Sequence, residues 1–381
     1  PVVRKVRPEP LVFSPQGEGA ASGRVGERPL AKYNGAVKAI AKARPEPGVD
    51  IIDIREPELK SGHVKIRVEK GSVCGTDLHI YSWDRWAQGR IHPPRVIGHE
   101  FCGTVVEVAP DVTSHQVGDF VASESHIVCG QCKQCLAGQA HVCINTVILG
   151  VDIDGGFGPY ASLPAQNARI IPAEVPREVA SMLDALGNAV HTAMSGPIEG
   201  RSVLITGMGP IGLFSVGICR VLGAEKIYAT EVSPYRIALA EQMGADVVLN
   251  PAQEDVPAAL RRLESHGVDA TLEMSGHPSA LSLAVDHTRP GGRVSLLGVY
   301  PENSEPIDIN AVIFKGLQVQ GVVGRQLWQT WDQMIDLLVN RGLDIRPVIT
   351  HQRGFDEVQA AMESLRAGQA GKIVLDFAGA A

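Results

Sequence analysis

The pattern of hydrophobic and polar positions divides the chain into regions of different rhythm. From Ala36 to about Pro172, short runs such as VKIRVEKGSV, FCGTVVEVA and DFVASES alternate with turns rich in glycine and proline. Runs of this length, bounded by turn residues, are typical of β-strands. The first half of the chain is therefore predicted to be mostly β.

From about Ser202 the pattern changes to strands that alternate with helices. The apolar run SVLIT precedes a glycine turn and a helical stretch, and KIYATEV, SPYRIALAEQMGA and DVVLN continue the alternation. About six strands follow this rhythm as far as LQVQGVVG, which predicts an α/β fold with a doubly wound parallel sheet and crossover helices. An amphipathic segment, TWDQMIDLLVNRG, and a strand-rich tail, GKIVLDFA, then return to the less regular style of the first half.

Length and charge restrict the class of protein. The chain has 381 residues, whereas single cores stop growing near roughly 250 to 300 residues. Its 35 basic and 42 acidic residues give a net charge of −7, and no basic run supports binding to nucleic acid or to a membrane surface. We therefore expect two domains and a small-molecule partner. Residues 1–35, rich in proline, glycine and charge without periodicity, are predicted to be a flexible N-terminal extension.

Two segments bear on the compartment of the protein. Residues 202–219 form an uncharged stretch of eighteen residues, a transmembrane candidate by length alone, but a strand-to-helix turn explains its glycines better. The first residues lack the apolar core of a secretory signal. We therefore expect a reducing, cytoplasmic environment.

A glycine turn lies between the strand SVLIT and the next helix. Gly207, Gly209 and Gly212 form the pattern G-x-G-x-x-G, which is weak by itself but is supported by the flanking strand and helix. The glycines allow a tight turn, a close approach of the backbone to a pyrophosphate, and close packing of helix on strand. The turn is therefore predicted to bind a dinucleotide; a glycine-rich turn with no ligand is the plainer alternative.

An acidic residue, Glu231, ends the strand that follows the glycine turn. A carboxylate at this position accepts hydrogen bonds from ribose hydroxyls and repels a 2′-phosphate, which favours NAD over NADP. Arg236 leaves alternatives open, because it could cover the adenine, pair with Glu231 or tolerate a 2′-phosphate.

Four cysteines lie within one short loop. Cys129, Cys132, Cys135 and Cys143 have the spacing C-x2-C-x2-C-x7-C. Four thiolates brought together by short turns can hold a tetrahedral Zn²⁺ with no open position, which is typical of a structural site. An iron–sulfur cluster suits the same ligands, and unliganded surface thiols are the third alternative. Of these we predict structural zinc.

The motifs together resemble the zinc-dependent medium-chain dehydrogenase family. Between about Ala36 and Phe377 the chain contains CGTDLHIYSWDRWAQ, VIGHE, the four-cysteine lobe, GNAVHTA, GPIG, EMSG, VIFKGL, GRQLWQTW and RAGQAGK. The resemblance implies a GroES-like catalytic domain of residues 36–186 and 330–381, split around an NAD-binding Rossmann domain of residues 187–329. It also implies a homotetramer.

The resemblance further implies a catalytic zinc, in addition to the structural one. Its ligands would be Cys74, His99 and Glu100, and Asp184 stands at the position of a further acidic residue near the metal. Family members differ on whether the acidic residues bind zinc directly or through water.

A proton relay and a set of cofactor contacts are also implied. Thr76 and His79 correspond to the relay, which carries the proton of the substrate hydroxyl to solvent. Besides the glycines, the implied contacts of NAD are Ile211, Glu231, Arg236, Leu297, Gly298, Val299, Val322 and Val323.

The implied reaction is the NAD-dependent oxidation of a secondary alcohol. The expected substrate is L-threonine, with 2-amino-3-oxobutanoate as product. A polyol or a 2,3-diol is the alternative substrate, because it would use the same zinc and cofactor residues; an NAD-binding sensor without turnover is the alternative from another class. The segment from Phe157 to Pro164 and Cys102 depart from the family's usual pattern, which bears on the substrate more than on the reaction.

Overall fold

A computed structural model describes residues 36–300 and 306–380. The predicted flexible extension, residues 1–35, lies outside the described residues.

Short strands dominate residues 36–194, as the turn-rich pattern predicts. The strands are β1 Ala36–Lys42, β2 Asp50–Arg55, β3 His63–Val73, β4 Arg95–Val96, β5 Phe101–Val108, β6 Phe120–Ser123, β7 His126–Ile127, β8 Val147–Ile148, β9 Tyr160–Pro164 and β10 Ala168–Ile170. The helices are α1 Gly75–Ser82, α2 Arg85–Arg90, α3 Lys133–Leu136, α4 Arg177–Ala180 and α5 Leu183–Ala193.

Strands and helices alternate in the next part of the chain. The strands are β11 Ser202–Thr206, β12 Lys226–Thr230, β13 Val247–Leu249, β14 Val268–Glu273, β15 Thr288–Leu296 and β16 Gln318–Gly321. The helices are α6 Pro210–Val221, α7 Pro234–Gln242, α8 Val256–Leu263, α9 Pro278–His287 and α10 Ile309–Lys315. The C-terminal part contains α11 Gln329–Ile335, which continues into a π-helical turn Asp336–Asn340, then β17 Ile349–Gly354, α12 Val358–Arg366 and β18 Lys372–Asp376.

The six strands of the middle part form one parallel sheet in the order β13-β12-β11-β14-β15-β16. This confirms the predicted doubly wound sheet. The strand order reverses between β11 and β14, and ligands of such sheets bind outside the carboxyl ends of the strands at that point. The uncharged stretch of residues 202–219 is the buried strand β11, a turn and most of α6. Within the described residues, every helix is too short or too polar to cross a membrane.

The C-terminal strands complete the sheet of the first half. That sheet has the order β10-β6-β5-β3-β18-β17, with β9 also paired to β3. Strand β18 lies antiparallel to β3, with Ile373 opposite Val73 and Leu375 opposite Gly71. Residues about 300 positions apart in the sequence therefore share one hydrogen-bonded ladder. Strands β1, β2 and β4 form a separate antiparallel sheet, and β7 pairs with β8.

Helix α5 lies between the two large sheets. Ten of its eleven residues are buried, and its apolar side chains share one core with β11 and α6, and with Cys102 and Ala122 of the other sheet. Trp331 and Met334 of α11 belong to the same core. Full burial of one such side chain stabilises the fold by about 1.5–3 kcal/mol, so this helix holds the two sheets in a defined relation. The predicted boundary between residues 186 and 187 falls inside α5.

Candidate metal centres and dinucleotide site

The four predicted lobe cysteines meet in the structure. The Sγ atom of Cys132 lies 3.4 Å from that of Cys135 and 3.8 Å from that of Cys143, and the Sγ atoms of Cys143 and Cys129 are 3.5 Å apart. A Zn–S bond of about 2.3 Å places the sulfurs of a tetrahedral site about 3.8 Å apart. The lobe therefore has the dimensions of a closed, four-sulfur metal site.

Backbone and side-chain donors surround these sulfurs. The backbone N–H groups of Cys129 and Asn145 donate to Cys143 Sγ, each at 3.4 Å, and the Asn145 amide donates to Cys129 Sγ. Hydrogen bonds from the backbone N–H of Gln131 and from Asn145 lower the pKa of Cys129 to about 6. Thiolates are the metal-binding form of cysteine, so these donors favour the metal-binding form of Cys129.

The second predicted ligand set also comes together. Ligand atoms of Cys74, His99 and Glu100 lie within 4.8 Å of one another. Cys74 directly follows β3 and is the N-cap of α1, whereas His99 and Glu100 directly precede β5. Gly98 makes this approach possible: its φ is +91°, and a Cβ there would lie 2.1 Å from the Phe157 ring.

Lys372 and Ser72 hold one oxygen of Glu100. Both side chains contact Glu100 Oε2, and Lys372 Nζ also donates to Ser72 Oγ at 3.2 Å and to the carbonyl of Val73 at 3.3 Å. Burial by itself would raise the pKa of Glu100, but Lys372 and His99 outweigh burial and lower it. The other oxygen, Oε1, is buried without a hydrogen-bond partner among the described residues.

A further buried carboxyl group, that of Asp77, lies beside His99. Asp77 is fully buried, its Oδ2 accepts from the backbone N–H of Cys74 at 2.9 Å, and its Oδ1 lies 3.7 Å from His99 Nδ1. Burial favours the neutral imidazole, but the charges of Asp77 and Cys74 outweigh it and raise the pKa of His99 to about 10. Anionic ligands with unsatisfied buried atoms are an environment that a divalent cation stabilises.

Asp184 lies outside this three-residue group. Its carboxylate pairs with Arg325, at 2.9 Å and 3.0 Å for its two oxygens, and accepts from the backbone N–H of Ser125 at 3.2 Å. Arg325 also binds both oxygens of the buried Glu124. Whether Asp184 acts on the metal from this position stays a prediction.

The two predicted relay residues lie one turn apart on α1. The hydroxyl of Thr76 is 3.9 Å from Cys74 Sγ. His79, three positions further and so on the same helix face, has a side chain that is 60% exposed. The structure thus places Thr76 beside Cys74 and the side chain of His79 at the surface.

The glycine turn has the predicted geometry. Gly207 follows β11 with a φ of +82°, and Gly209 is the N-cap of α6. A Cβ on Gly212 would lie 2.0 Å from the carbonyl oxygen of Gly207, whereas a Cβ on Gly209 would meet nothing within 4 Å. The third glycine is therefore required by packing, and the second leaves open space in front of the helix N-terminus.

Glu231 lies beside this turn at the end of β12. Its Oε2 accepts from the backbone N–H of Met208 at 2.8 Å, and its Oε1 accepts from those of Val232 and Ser233. Arg236, in the first turn of α7, has a buried Nε without a hydrogen-bond partner in the described part of the chain.

The remaining predicted cofactor residues lie at the same edge of the sheet. Residues 297–299 follow β15, and Val322 and Val323 follow β16, whereas Ile211 is in the first turn of α6. Val299 is 90% exposed and Val323 54% exposed. The sheet therefore places them at the carboxyl ends of its strands.

The sequence patterns did not single out several residues that lie in these sites. Lys372 and Arg325 contact acids more than 200 positions away, and no local pattern signals such pairs. Glu273, fully buried at the end of β14, accepts from Ser275, Gly276 and the hydroxyl of Tyr300. Asp77 was detectable, because it stands three positions after the N-cap, as in a capping box.

The fold and the two cysteine-containing clusters together define a metal-dependent dehydrogenase. Residues 60–174 match the model of the alcohol dehydrogenase GroES-like domain, and residues 210–340 match that of the zinc-binding dehydrogenases. The chain belongs to the zinc-binding dehydrogenase family.

Within that family, particular relatives cover most of the chain. An L-threonine 3-dehydrogenase of Pyrococcus furiosus is 47% identical over 338 residues, which are 88% of this chain and 97% of that protein. Among solved structures, an alcohol dehydrogenase from Escherichia coli CFT073 complexed with NADH has a TM-score of 0.83 and 30% identity, covering 90% and 100% of the two chains. A zinc-binding dehydrogenase from Sinorhizobium meliloti 1021 bound to NADP has a TM-score of 0.82 and 27% identity, covering 90% and 99%.

Proposed function

We propose that this chain oxidises the secondary hydroxyl of L-threonine to 2-amino-3-oxobutanoate, with NAD as the hydride acceptor. The observation that carries the proposal is the meeting of Cys74, His99 and Glu100 within 4.8 Å in a chain that also has a dinucleotide-binding sheet. The 47% identity to an L-threonine 3-dehydrogenase supports the choice of substrate.

The residues of the cluster fit a zinc ion. Thiolate, imidazole and carboxylate are ordinary zinc ligands, and Lys372 with Ser72 leaves Glu100 Oε1 as the oxygen available to a metal. Bound zinc with an open position lowers the pKa of an alcohol hydroxyl, and bound NAD accepts the hydride. The second zinc would be structural and held by the four-cysteine lobe.

The chain's own residues would remove the hydroxyl proton. Thr76 begins the path at the metal cluster, and His79 ends it at a position where its ring is 60% exposed. A path that ends at an exposed base releases the proton to water without opening the buried site.

The preference for NAD rests on Glu231. The residue is 8% exposed, and its carboxylate lies beside the glycine turn and is oriented by three backbone N–H groups. A 2′-phosphate would bring further negative charge against this carboxylate, which is unfavourable where few water molecules screen it.

A substrate panel tests the proposal. NADH formation is measured with L-threonine, sorbitol, xylitol and 2,3-butanediol, before and after chelation, and L-threonine is repeated with NADP. We expect activity with L-threonine that needs metal and prefers NAD, and two zinc ions per chain by elemental analysis. Activity on polyols or diols alone would refute L-threonine as the substrate and favour a polyol or diol dehydrogenase. Binding of NAD and zinc without turnover of any alcohol would favour an NAD-binding sensor.

We also infer an assembly of identical subunits, with four as the expected number. All four residues of β16, the last strand of the parallel sheet, are exposed. Nearby α10 exposes apolar side chains, with Phe314 87% and Ile313 62% exposed. An exposed edge strand beside an apolar patch is suited to pairing with a second copy. Sedimentation tests this, and Phe314→Glu should lower the assembly state.

A cytoplasmic location is part of the same proposal. All seven cysteines are free thiols, and four of them lie at metal-ligand distances. Free thiols are typical of proteins of a reducing compartment. Fractionation of the source cells checks the location, and recovery of the activity with a membrane fraction or outside the cells would contradict it.

A further inference from the structure

The connection between α1 and α2 turns the chain back towards His79. Only Trp83 and Asp84 separate the two helices. Trp83 has a φ of +53° and a ψ of +45°, a left-handed conformation that is uncommon for a bulky residue, and its N–H donates to the carbonyls of His79 and Ile80. Backbone strain of this kind persists only where the surroundings impose it, and it is frequent at functional sites.

The result of this turn is a carboxylate placed on the histidine ring. Asp84 is the N-cap of α2, and its Oδ1 accepts from the backbone N–H of Ala87 at 2.9 Å. Its Oδ2 lies 2.5 Å from His79 Nδ1. Burial would raise the pKa of Asp84, but the hydrogen bonds from Ala87 and His79 outweigh burial and lower it. The carboxylate is therefore ionised at neutral pH and only accepts hydrogen bonds.

An acceptor at Nδ1 decides where the proton of the neutral imidazole sits. Because Asp84 cannot donate, Nδ1 of His79 must carry the hydrogen, and the lone pair of the ring lies on Nε2. The ring of Trp86 packs edge-on against the same imidazole, with 6.0 Å between centroids, and restricts its rotation.

We propose that Asp84 is a positioning residue that holds His79 in the tautomer protonated on Nδ1, so that Nε2 can accept the proton leaving the substrate. The kinetic part of this proposal rests on the proposed function. In the proton transfer the O–H bond of the alcohol breaks, and the hydroxyl of Thr76 accepts that proton as it releases its own. An N–H bond then forms at Nε2, and the imidazolium passes the proton to water.

The other charged groups on the elements around α1 are engaged elsewhere or exposed to water. Helix α1 packs against α12 and α2, and Trp83 contacts Lys42 of β1. The groups concerned are Glu363, which accepts from Tyr81 and from Arg366; Arg90, which pairs with Asp152; Lys42, which binds the carbonyls of Glu46 and Gly48; Lys38, which pairs with Asp53; Asp77, beside Cys74 and His99; and Arg85, at the surface. Asp84 is thus the charged group in direct contact with His79 Nδ1.

Asp84→Asn separates the two roles of the carboxylate. Asparagine caps a helix about as well as aspartate, so the bond to Ala87 N–H is kept. The amide NH₂ then faces Nδ1 and donates to it, which moves the ring proton to Nε2. Asp255→Asn is the matched control, because Asp255 caps α8 through the N–H of Ala258.

The first readout is kinetic. We expect Asp84→Asn to lower kcat/KM roughly 10- to 100-fold, within the about 10²- to 10⁴-fold that a positioned acid–base group contributes. In a His79→Gln background Asp84→Asn should have no further effect, and Asp255→Asn should leave kcat/KM unchanged. An equal loss with and without His79 would overturn the positioning role.

The second readout does not depend on turnover. Diethyl pyrocarbonate acylates the imidazole nitrogen that carries the lone pair, and peptide mass spectrometry follows the reaction at His79. We expect Asp84→Asn to slow this reaction several-fold and Asp255→Asn to leave it unchanged. Equal rates in the wild type and Asp84→Asn would overturn the tautomer assignment. A third outcome is also informative: acylation is slower in Asp84→Asn, but His79→Gln has the kcat/KM of the wild type. This outcome would keep the tautomer assignment and refute the relay of the proposed function.

Discussion

We expect Arg325→Met to destabilise the protein by about 3–5 kcal/mol, the usual cost of removing one partner from a buried ion pair. The Arg325 side chain is 1% exposed, and the side chains of its two acidic partners, Glu124 and Asp184, are 0% and 7% exposed. Burial would lower the pKa of Arg325, but Asp184 and Glu124 outweigh burial and raise it. Methionine fills a similar volume but leaves both carboxylates without their cation.

The structure places this network where three parts of the chain meet. Glu124 follows β6, Asp184 lies in α5, and Arg325 follows β16. Trp331 of α11 donates its indole N–H to Glu124 Oε2 at 2.8 Å. Loss of Arg325 should therefore loosen the packing of α5 between the two sheets as well as leave buried charge.

An exposed pair of the same type supplies the control. Arg346 donates two hydrogen bonds to Asp344, but the two side chains are 64% and 46% exposed. Exposed pairs contribute about 0–1 kcal/mol, so Arg346→Met should change stability by less than about 1 kcal/mol.

Urea unfolding followed by tryptophan fluorescence and by circular dichroism measures the difference between the variants. A second comparison removes the charges together, as Arg325→Met with Glu124→Gln and Asp184→Asn, which should recover part of the lost stability. The reasoning is wrong if Arg325→Met and Arg346→Met unfold at the same urea concentration. It is also wrong if the triple variant is less stable than Arg325→Met.

Three further predictions concern the metal sites, the glycine turn and the response to acid. Cys74→Ser should abolish turnover and leave NAD binding and Tm nearly unchanged, whereas Cys132→Ser should mainly lower Tm; equal unfolding of both variants would contradict two separate metal roles. Gly212→Ala should cost about 1–3 kcal/mol of stability, because its Cβ would lie 2.0 Å from a carbonyl oxygen of the same turn. Gly209→Ala should unfold at the same urea concentration as the wild type, but its Cβ should crowd the pyrophosphate of bound NAD. A cost of about 1–3 kcal/mol for this contact would weaken NAD binding, measured by fluorescence titration, by roughly tenfold to a hundredfold. Burial would raise the pKa of Asp269, but hydrogen bonds from an arginine and a backbone N–H outweigh burial and hold it below 3.8. The ionised Asp269 therefore stabilises the fold above pH 3.8, and this contribution is lost as the pH falls through the lowered pKa. Asp269→Asn should make Tm depend less steeply on pH in this acid range.

Local patterns predicted much of this architecture. The six strands of the parallel sheet, the glycine turn and the four-cysteine lobe each depend on residues close together in the sequence, and the structure has all three. The cluster of Cys74, His99 and Glu100 is different, because Cys74 and His99 stand 25 positions apart and neither has a local spacing rule. They were predicted to bind one metal from the resemblance to a family, and not from periodicity.

The sequence by itself determined the alternation of strands and helices, the dinucleotide turn and the closed sulfur site, because these follow from side-chain periodicity and from short loops. Only the tertiary structure decided which charges are buried together. Lys372 reaches Glu100 across 272 positions and Arg325 reaches Glu124 across 201, because antiparallel pairing of β18 with β3 and the packing of α5 bring distant segments together. Burial then makes each such contact obligatory, since an unpaired charge in a low-dielectric interior costs several kcal/mol.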